Sequence, residues 1–130
     1  MARGRKKKTE PEVYTDEQLR IVEKHIGDNF GTVSNYFQNK EEGRITLNIN
    51  VIPASRRNPY ITLVTTGMGA HVMKAEGKSG EKYCSRGELV LCLPPGWKFD
   101  GSEPDAFWPV HLLDLIAEFS AGDDTWLSWG

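Results

Sequence analysis

The clearest pattern along the chain is a strict alternation of apolar and polar residues between positions 45 and 51. A period of two is that of a β-strand with one buried face. The inward positions are Ile45, Leu47, Ile49 and Val51, and the outward positions are Thr46, Asn48 and Asn50. Residues 60–66, rich in β-branched and aromatic side chains, predict a second strand. Because only a short turn separates the two strands, we expect them to pair antiparallel.

Three further segments are apolar without that alternation. Residues 89–93 are continuously apolar, which predicts that the strand at 88–93 is buried on both faces and that helices cover the sheet. Residues 125–129 predict a final strand. Residues 30–37 are apolar but irregular, and we expect Val33, Tyr36 and Phe37 to pack on the core.

Two segments show helical periodicity. Thr15 and Gln18 fit a capping box at the start of the first helix, which is predicted to end at Gly27. The second helix is predicted to begin near Pro109 and to end at Gly122. The predicted buried faces are Leu19, Val22 and Ile26 in the first helix, and Leu112, Leu113, Ile116 and Phe119 in the second.

These patterns predict one α/β domain, and a length of 130 residues suits a single domain. Residues 1–12 are polar and charged and lack a hydrophobic period, so we expect a disordered basic tail. The domain is then predicted to span 13–130, with its most recognisable blocks at 45–130. Three of the four tryptophans are assigned by position: Trp108 and Trp126 are predicted in the core, whereas Trp97 follows a Pro-Pro-Gly turn and is predicted at an interface.

The net charge of −2 hides an asymmetry along the chain. Residues 1–8 carry five basic side chains and no acid, which leaves 11 basic against 18 acidic side chains in the rest. From Phe99 onward there are seven acids and no Lys or Arg. We therefore expect the body to attract basic partners and to repel nucleic acid, with the tail as a solvated terminus rather than a nucleic-acid contact.

The two cysteines, Cys84 and Cys92, form neither a disulfide framework nor a metal-ligand spacing. The basic N-terminus is not followed by the apolar stretch of a signal peptide, and no run approaches the length of a membrane span. These observations predict a cytoplasmic protein without a membrane anchor, in a reducing compartment.

Few residues suggest chemistry. Gly67, Met68 and Gly69, followed by His71, fit either an anion-binding nest or a turn that needs positive φ, and we favour the turn. His111 and Asp114 share a helix face and could orient a general base, although a surface pair is the simpler interpretation. We therefore expect no catalytic residues, no metal site and no cofactor.

The order of several blocks is more specific than any single motif. YITLVTTGM at 60–68 is followed by Met73, ELVLCLPPGW at 88–97, WPVHLL at 108–113, DTWL at 124–127 and Gly130. This series resembles the Suppressor-of-fused-like (SUFU) domain of many bacterial proteins and of an animal regulator, over roughly residues 30–130. The resemblance implies an α+β domain with a mixed, largely antiparallel sheet flanked by helices. Because family domains typically continue with more strands, we also expect a C-terminal truncation or strands supplied by a partner.

The resemblance implies a protein-binding role, since bacterial members resemble immunity proteins that neutralise a toxin by direct binding. One alternative is a regulator that binds a peptide by strand addition, since the animal member of the family resembles a clamp that holds a peptide in this way. Another is a small-ligand or enzymatic domain that uses loop 67–71 with His111 and Asp114. The sequence leaves the oligomeric state and the partner's identity open. The residues expected to contact the partner are Asn48, Asn50, Met68, His71 and Trp97.

Overall fold

A computed structural model describes residues 12–73 and 86–122 of the chain. The elements are α1 (Asp16–Asn29), β1 (Asn35–Asn39), β2 (Leu47–Ile52), β3 (Ile61–Thr66), β4 (Val90–Leu93) and α2 (Trp108–Gly122), with short 3-10 helices at Met68–Ala70 and Pro104–Phe107. The strands form a sheet in the order β1-β2-β3-β4, and every neighbouring pair is antiparallel. The predicted α+β fold with a largely antiparallel sheet is confirmed, and every described strand pair is antiparallel. The basic tail up to residue 11, Cys84, Trp126 and the predicted strand at 125–129 lie outside the described residues.

The alternation in β2 places its apolar residues on the face of the sheet that α2 covers. Leu47, Ile49 and Val51 are buried there, as predicted, together with Ile45 just before the strand. The other members of this core are Ile61, Leu63, Met68, Met73, Leu93, Leu113 and Ala117. Burial of this continuous apolar face is the main stabilising contribution to the fold.

Helix α1 packs on the opposite face of the sheet. Ile26 is buried there against Ile52 and Val64, with Val22 and Phe30 half-buried around it. The predicted capping box is present, because the Thr15 hydroxyl accepts from the Gln18 N–H and the Gln18 side chain accepts from the Thr15 N–H. The predicted end at Gly27 was wrong: the helix continues to Asn29, since one helical glycine costs only about 1 kcal/mol.

Strand β1 was not predicted. The asparagines at both ends of Asn35–Asn39 have low strand propensity, but the five residues pair along β2 in continuous register. The expectation that Val33, Tyr36 and Phe37 pack on the core holds only for Phe37. The centroid of its ring lies 5.5 Å from that of Phe99 and 5.6 Å from that of Phe107, whereas Val33 and Tyr36 are exposed.

The prediction that the strand at 88–93 is buried on both faces was wrong. Leu93 is buried and Leu91 packs against the core, but Val90 is 46% exposed and Cys92 is exposed. The reason is topological. Within the described ranges β4 is the last strand of the sheet, and α1 contacts β3.

The predicted buried face of α2 was also wrong in part. Leu113 is buried as expected, but Leu112 and Phe119 are exposed and Ile116 is half-buried. Ala117 and Ser120 face the core instead. Because the helix carries apolar residues around much of its circumference, the periodicity fits more than one stripe. The small residues allow its axis to approach the sheet closely.

Candidate functional site

The carboxylate of Glu88, just before β4, is the centre of the densest polar network in the described residues. It accepts five hydrogen bonds, one from Tyr14 and four from residues 65–69. Oε2 accepts from the Tyr14 hydroxyl (2.6 Å), the Gly67 N–H (3.0 Å) and the Gly69 N–H (2.8 Å), and Oε1 accepts from the Thr65 hydroxyl (2.7 Å) and the Met68 N–H (3.2 Å). We call Tyr14, Thr65, the turn at 67–69 and Glu88 the Glu88 network.

The turn at 67–69 explains why the carboxylate binds there. Gly67 has φ of 123°, and a Cβ at this position would collide with the carbonyl oxygen of Thr46. This conformation points three successive N–H groups at one oxygen pair, which is the geometry of an anion-binding nest. Both sequence interpretations of the turn therefore apply, and the anion is the chain's own Glu88. Glu88 was not among the predicted site residues, and the only sequence signal for its role is its position as a carboxylate directly before an apolar strand.

The network fixes the start of β4 to the rest of the fold. The Thr65 hydroxyl also accepts from the Leu89 N–H (2.7 Å), and Arg86 donates to the carbonyl of Gly69 (2.9 Å). Tyr14 adds the segment that leads into α1. Burial raises the pKa of the Tyr14 hydroxyl, and the hydrogen bond to Glu88 and its negative charge raise that pKa further. The neutral phenol is therefore retained as the donor.

Two of the predicted contact residues lie in or beside this turn. Met68 is only 3% exposed and belongs to the core, so its prediction as a surface contact is not compatible with the structure. His71 is half-buried directly after the 3-10 helix, and within 12–73 and 86–122 its Nε2 has no hydrogen-bond partner.

The residues of the enzymatic alternative are not joined by hydrogen bonds in the described part of the chain. Asp114 accepts instead from the Asn39 side chain of β1, at 2.7 Å. His111 is exposed on α2. The described contacts therefore do not assemble His71, His111 and Asp114 into one site.

Among residues 12–73 and 86–122, the outer edge of β4 has backbone groups without a partner strand. The Thr65 N–H donates to the Leu89 carbonyl (2.9 Å), which sets the hydrogen-bonding phase of the β3–β4 ladder. Because this phase alternates along an antiparallel pair, Leu91 and Leu93 also face β3. The N–H and C=O groups of Val90 and Cys92 then point to the outer edge, where no described residue pairs with β4.

An apolar groove runs beside this edge, between α1 and the end of the sheet. Its volume is about 430 Å³, and we call it the β4 groove. Ile21, 63% exposed, and Val90 stand at its rim. The groove is lined by Ile21, Val22, His25, Ile26, Phe30, Val64, Glu88 and Val90. Neighbouring exposed apolar side chains next to an open strand are a feature of protein-binding surfaces.

Asn48 and Asn50 line a second groove, on the other side of α1, with a volume of about 370 Å³. Both side chains are half-buried and engaged. Asn48 accepts from the Gln38 amide (2.9 Å), and the Asn50 amide donates to the Val64 carbonyl (3.0 Å). The exposed Tyr36 lines the same groove. The role of Asn48 and Asn50 as partner contacts stays a prediction.

Trp97 and Trp108 line a cavity of about 500 Å³, which we call the Trp cavity. Trp97 is half-buried and its Nε1–H donates to the Ala106 carbonyl (2.9 Å). Trp108 was predicted in the core but is 49% exposed, because it begins α2 at the protein surface. Cys92 is a free thiol.

No helix in the described ranges is long and apolar enough to cross a membrane. Across the same residues, no three His, Cys, Asp or Glu side chains are grouped as a metal site would require.

The fold, and the groove beside a strand whose outer edge no described residue pairs with, define a small α+β domain suited to protein binding. Comparison with known families gives a match to the model described as Suppressor of fused protein (SUFU) over residues 43–130, and the chain belongs to that family. It is also 30% identical, over 117 residues, to an uncharacterized protein of Ureaplasma parvum serovar 3. The match covers 89% of this chain and 56% of that relative, so the chain spans about half of the relative's length. No solved structure matches significantly. Membership of this family suggests a protein-interaction module.

Proposed function

We propose that this chain binds a protein partner by accepting an extended segment of the partner as an additional strand along β4. The observation that supports the proposal most is the outer edge of β4, where Val90 and Cys92 direct backbone groups outward beside the apolar β4 groove. Added strands bind through main-chain hydrogen bonds, and pockets for alternate side chains give the specificity.

The geometry of the edge suits one short partner segment. Val90 and Cys92 together offer two N–H donors and two carbonyl acceptors, and Pro94 ends the strand. A partner residue paired beside Val90 would place its side chain on the α1 side of the sheet, at the β4 groove. The Glu88 network holds β4 against β3 and α1, so little ordering is needed on binding.

The partner we propose is a toxin, which this chain neutralises by binding, without an enzymatic step of its own. Three observations support this finer role. The chain belongs to the SUFU family, its relative in Ureaplasma parvum is bacterial, and beyond residue 8 the sequence carries 11 basic against 18 acidic side chains. An acidic inhibitor suits a basic toxin through charge complementarity.

The test uses a matched pair of substitutions at Cys92. Cys92→Pro removes an outward N–H and leaves the β3 ladder intact, whereas Cys92→Val keeps that N–H and is a good strand former. Each variant is co-expressed with toxins encoded beside the gene, and complex formation and growth rescue are measured. We expect the Val variant to bind and rescue, and the Pro variant to bind at least tenfold more weakly.

Thermal unfolding of the two free variants is the control for folding. Equal binding by well-folded Pro and Val variants would refute strand addition at β4. A lack of both binding and rescue with every neighbouring toxin would refute the immunity role.

A further inference from the structure

The Trp cavity combines aromatic walls with carboxylates at the start of α2. Trp97 and Trp108 form its apolar part, and Glu103 and Asp105 supply two carboxylates against the one ammonium of Lys98. It lies after β4 in the chain and shares no lining residue with the β4 groove.

The aromatic part of the cavity is held in place before any ligand arrives. The hydrogen bond from the Trp97 indole to the Ala106 carbonyl fixes one ring. The Trp108 ring packs against it in a T-shaped arrangement, with ring centroids 6.0 Å apart and planes at 83°. Half of the Trp108 surface remains exposed, although an indole of this size is usually mostly buried. A fixed and accessible indole face attracts cations through its negative quadrupole.

The charge around the cavity has the sign that a cation requires. Glu103 and Asp105 are exposed, and these two carboxylates against the one ammonium of Lys98 leave the cavity lining with a net negative charge. A cationic group that enters the cavity would therefore meet both the indole rings and a negative field. The same field disfavours an anionic ligand.

We infer that the Trp cavity binds the guanidinium group of an arginine side chain on the protein partner. The inference deepens the proposed function and rests on it, because it specifies the chemistry of the partner. Arginine suits the site better than lysine, since a guanidinium is planar, weakly hydrated and stacks on aromatic rings. It also donates paired N–H groups to carboxylates such as those of Glu103 and Asp105.

The isolated interaction is testable without the partner. The probe is N-acetyl-arginine amide, titrated into the ¹⁵N-labelled chain while the indole N–H signals of Trp97 and Trp108 are followed by NMR. The matched probes are the citrulline analogue, which is neutral and nearly isosteric, and the lysine analogue. We expect saturable shifts with arginine, about threefold weaker binding with lysine and none with citrulline. Citrulline binding as strong as arginine binding, or equal arginine and lysine affinities, would overturn the assignment.

Variants locate the site. Trp108→Leu keeps an apolar residue at a half-exposed position, and we expect it to weaken arginine binding about threefold to tenfold. We expect a similar loss for the double variant E103Q/D105N. Its control, E12Q/E42Q, removes the same charge from exposed positions outside the cavity and should leave arginine binding unchanged.

The same variants separate this inference from the proposed function. Loss of toxin binding in Cys92→Pro together with full binding in both Trp108→Leu and E103Q/D105N would overturn the arginine site and leave strand addition standing. Weakened toxin binding in Trp108→Leu and E103Q/D105N, but not in E12Q/E42Q, is the result that we expect.

Discussion

Replacing Glu88 with glutamine removes the charge at the centre of the Glu88 network while leaving the shape of the side chain almost unchanged. The five donors divide into three on Oε2 and two on Oε1. A glutamine keeps a single oxygen acceptor, so its NH₂ group must face at least two donors. Those donors lose their acceptor, and the remaining bonds lose their charge assistance.

The cost follows from the number of donors left without an acceptor. A buried donor without an acceptor costs about 1–3 kcal/mol. With two donors lost in a half-buried site, we expect Glu88→Gln to lower the free energy of unfolding by about 3 kcal/mol. For a domain of this size that corresponds to a fall in Tm on the order of 10 °C. Because small domains are stable by about 5–15 kcal/mol, the variant should still fold at low temperature.

The assay is urea unfolding followed by circular dichroism, with Glu42→Gln as the matched control. Glu42 is exposed in the loop between β1 and β2, and its substitution should change stability by less than about 0.5 kcal/mol. If Glu88→Gln were as stable as Glu42→Gln, the turn at 67–69 would not depend on a bound carboxylate, and the account of how β4 is fixed would be wrong.

Two further substitutions test the same region. Tyr14→Phe should lower the free energy of unfolding by about 1 kcal/mol at neutral pH. Folding raises the pKa of Tyr14 above its ordinary value of 10.0, so the unfolded chain loses the proton first as pH rises. The stability advantage of Tyr14 over Phe should therefore shrink as pH rises past about 10. Parallel stability curves for the two proteins between about pH 8 and about pH 11 would contradict this. Gly67→Ala should cost about 3 kcal/mol or more in urea unfolding, because it adds a collision with Thr46 to the cost of positive φ. Gly43 has φ of 81° and open space around it, so Gly43→Ala should cost only about 1–2 kcal/mol of unfolding free energy. Equal losses of stability in Gly67→Ala and Gly43→Ala would show that the collision with Thr46 is relieved.

The parts of the fold that could be predicted are those in which a local pattern agrees with the tertiary contacts. The alternation of β2 required one apolar face, and that face is buried. The capping box between Thr15 and Gln18 involves only neighbouring residues, so the sequence alone determines it. The positive φ of Gly67 likewise followed from a glycine-rich turn directly after a strand.

The errors occurred where burial depends on distant elements. The apolar run of β4 is the same whether the strand lies inside the sheet or at its edge, and only the strand order decides that Val90 is exposed. Helix α2 is apolar on several sides, and the sheet selects the stripe with Ala117 and Ser120. Glu88 binds a turn about 20 positions earlier, and no local period encodes that contact.

The central claim is that the outer edge of β4 is open in the free protein and paired in the complex. Amide hydrogen exchange, measured residue by residue with NMR, tests it directly. In the free protein we expect the amides of Val90 and Cys92 to exchange fast while those of Leu91 and Leu93 are protected. On binding the toxin, Val90 and Cys92 should become protected as well. Protection of both amides in the free protein, or fast exchange of both in the complex, would contradict the account.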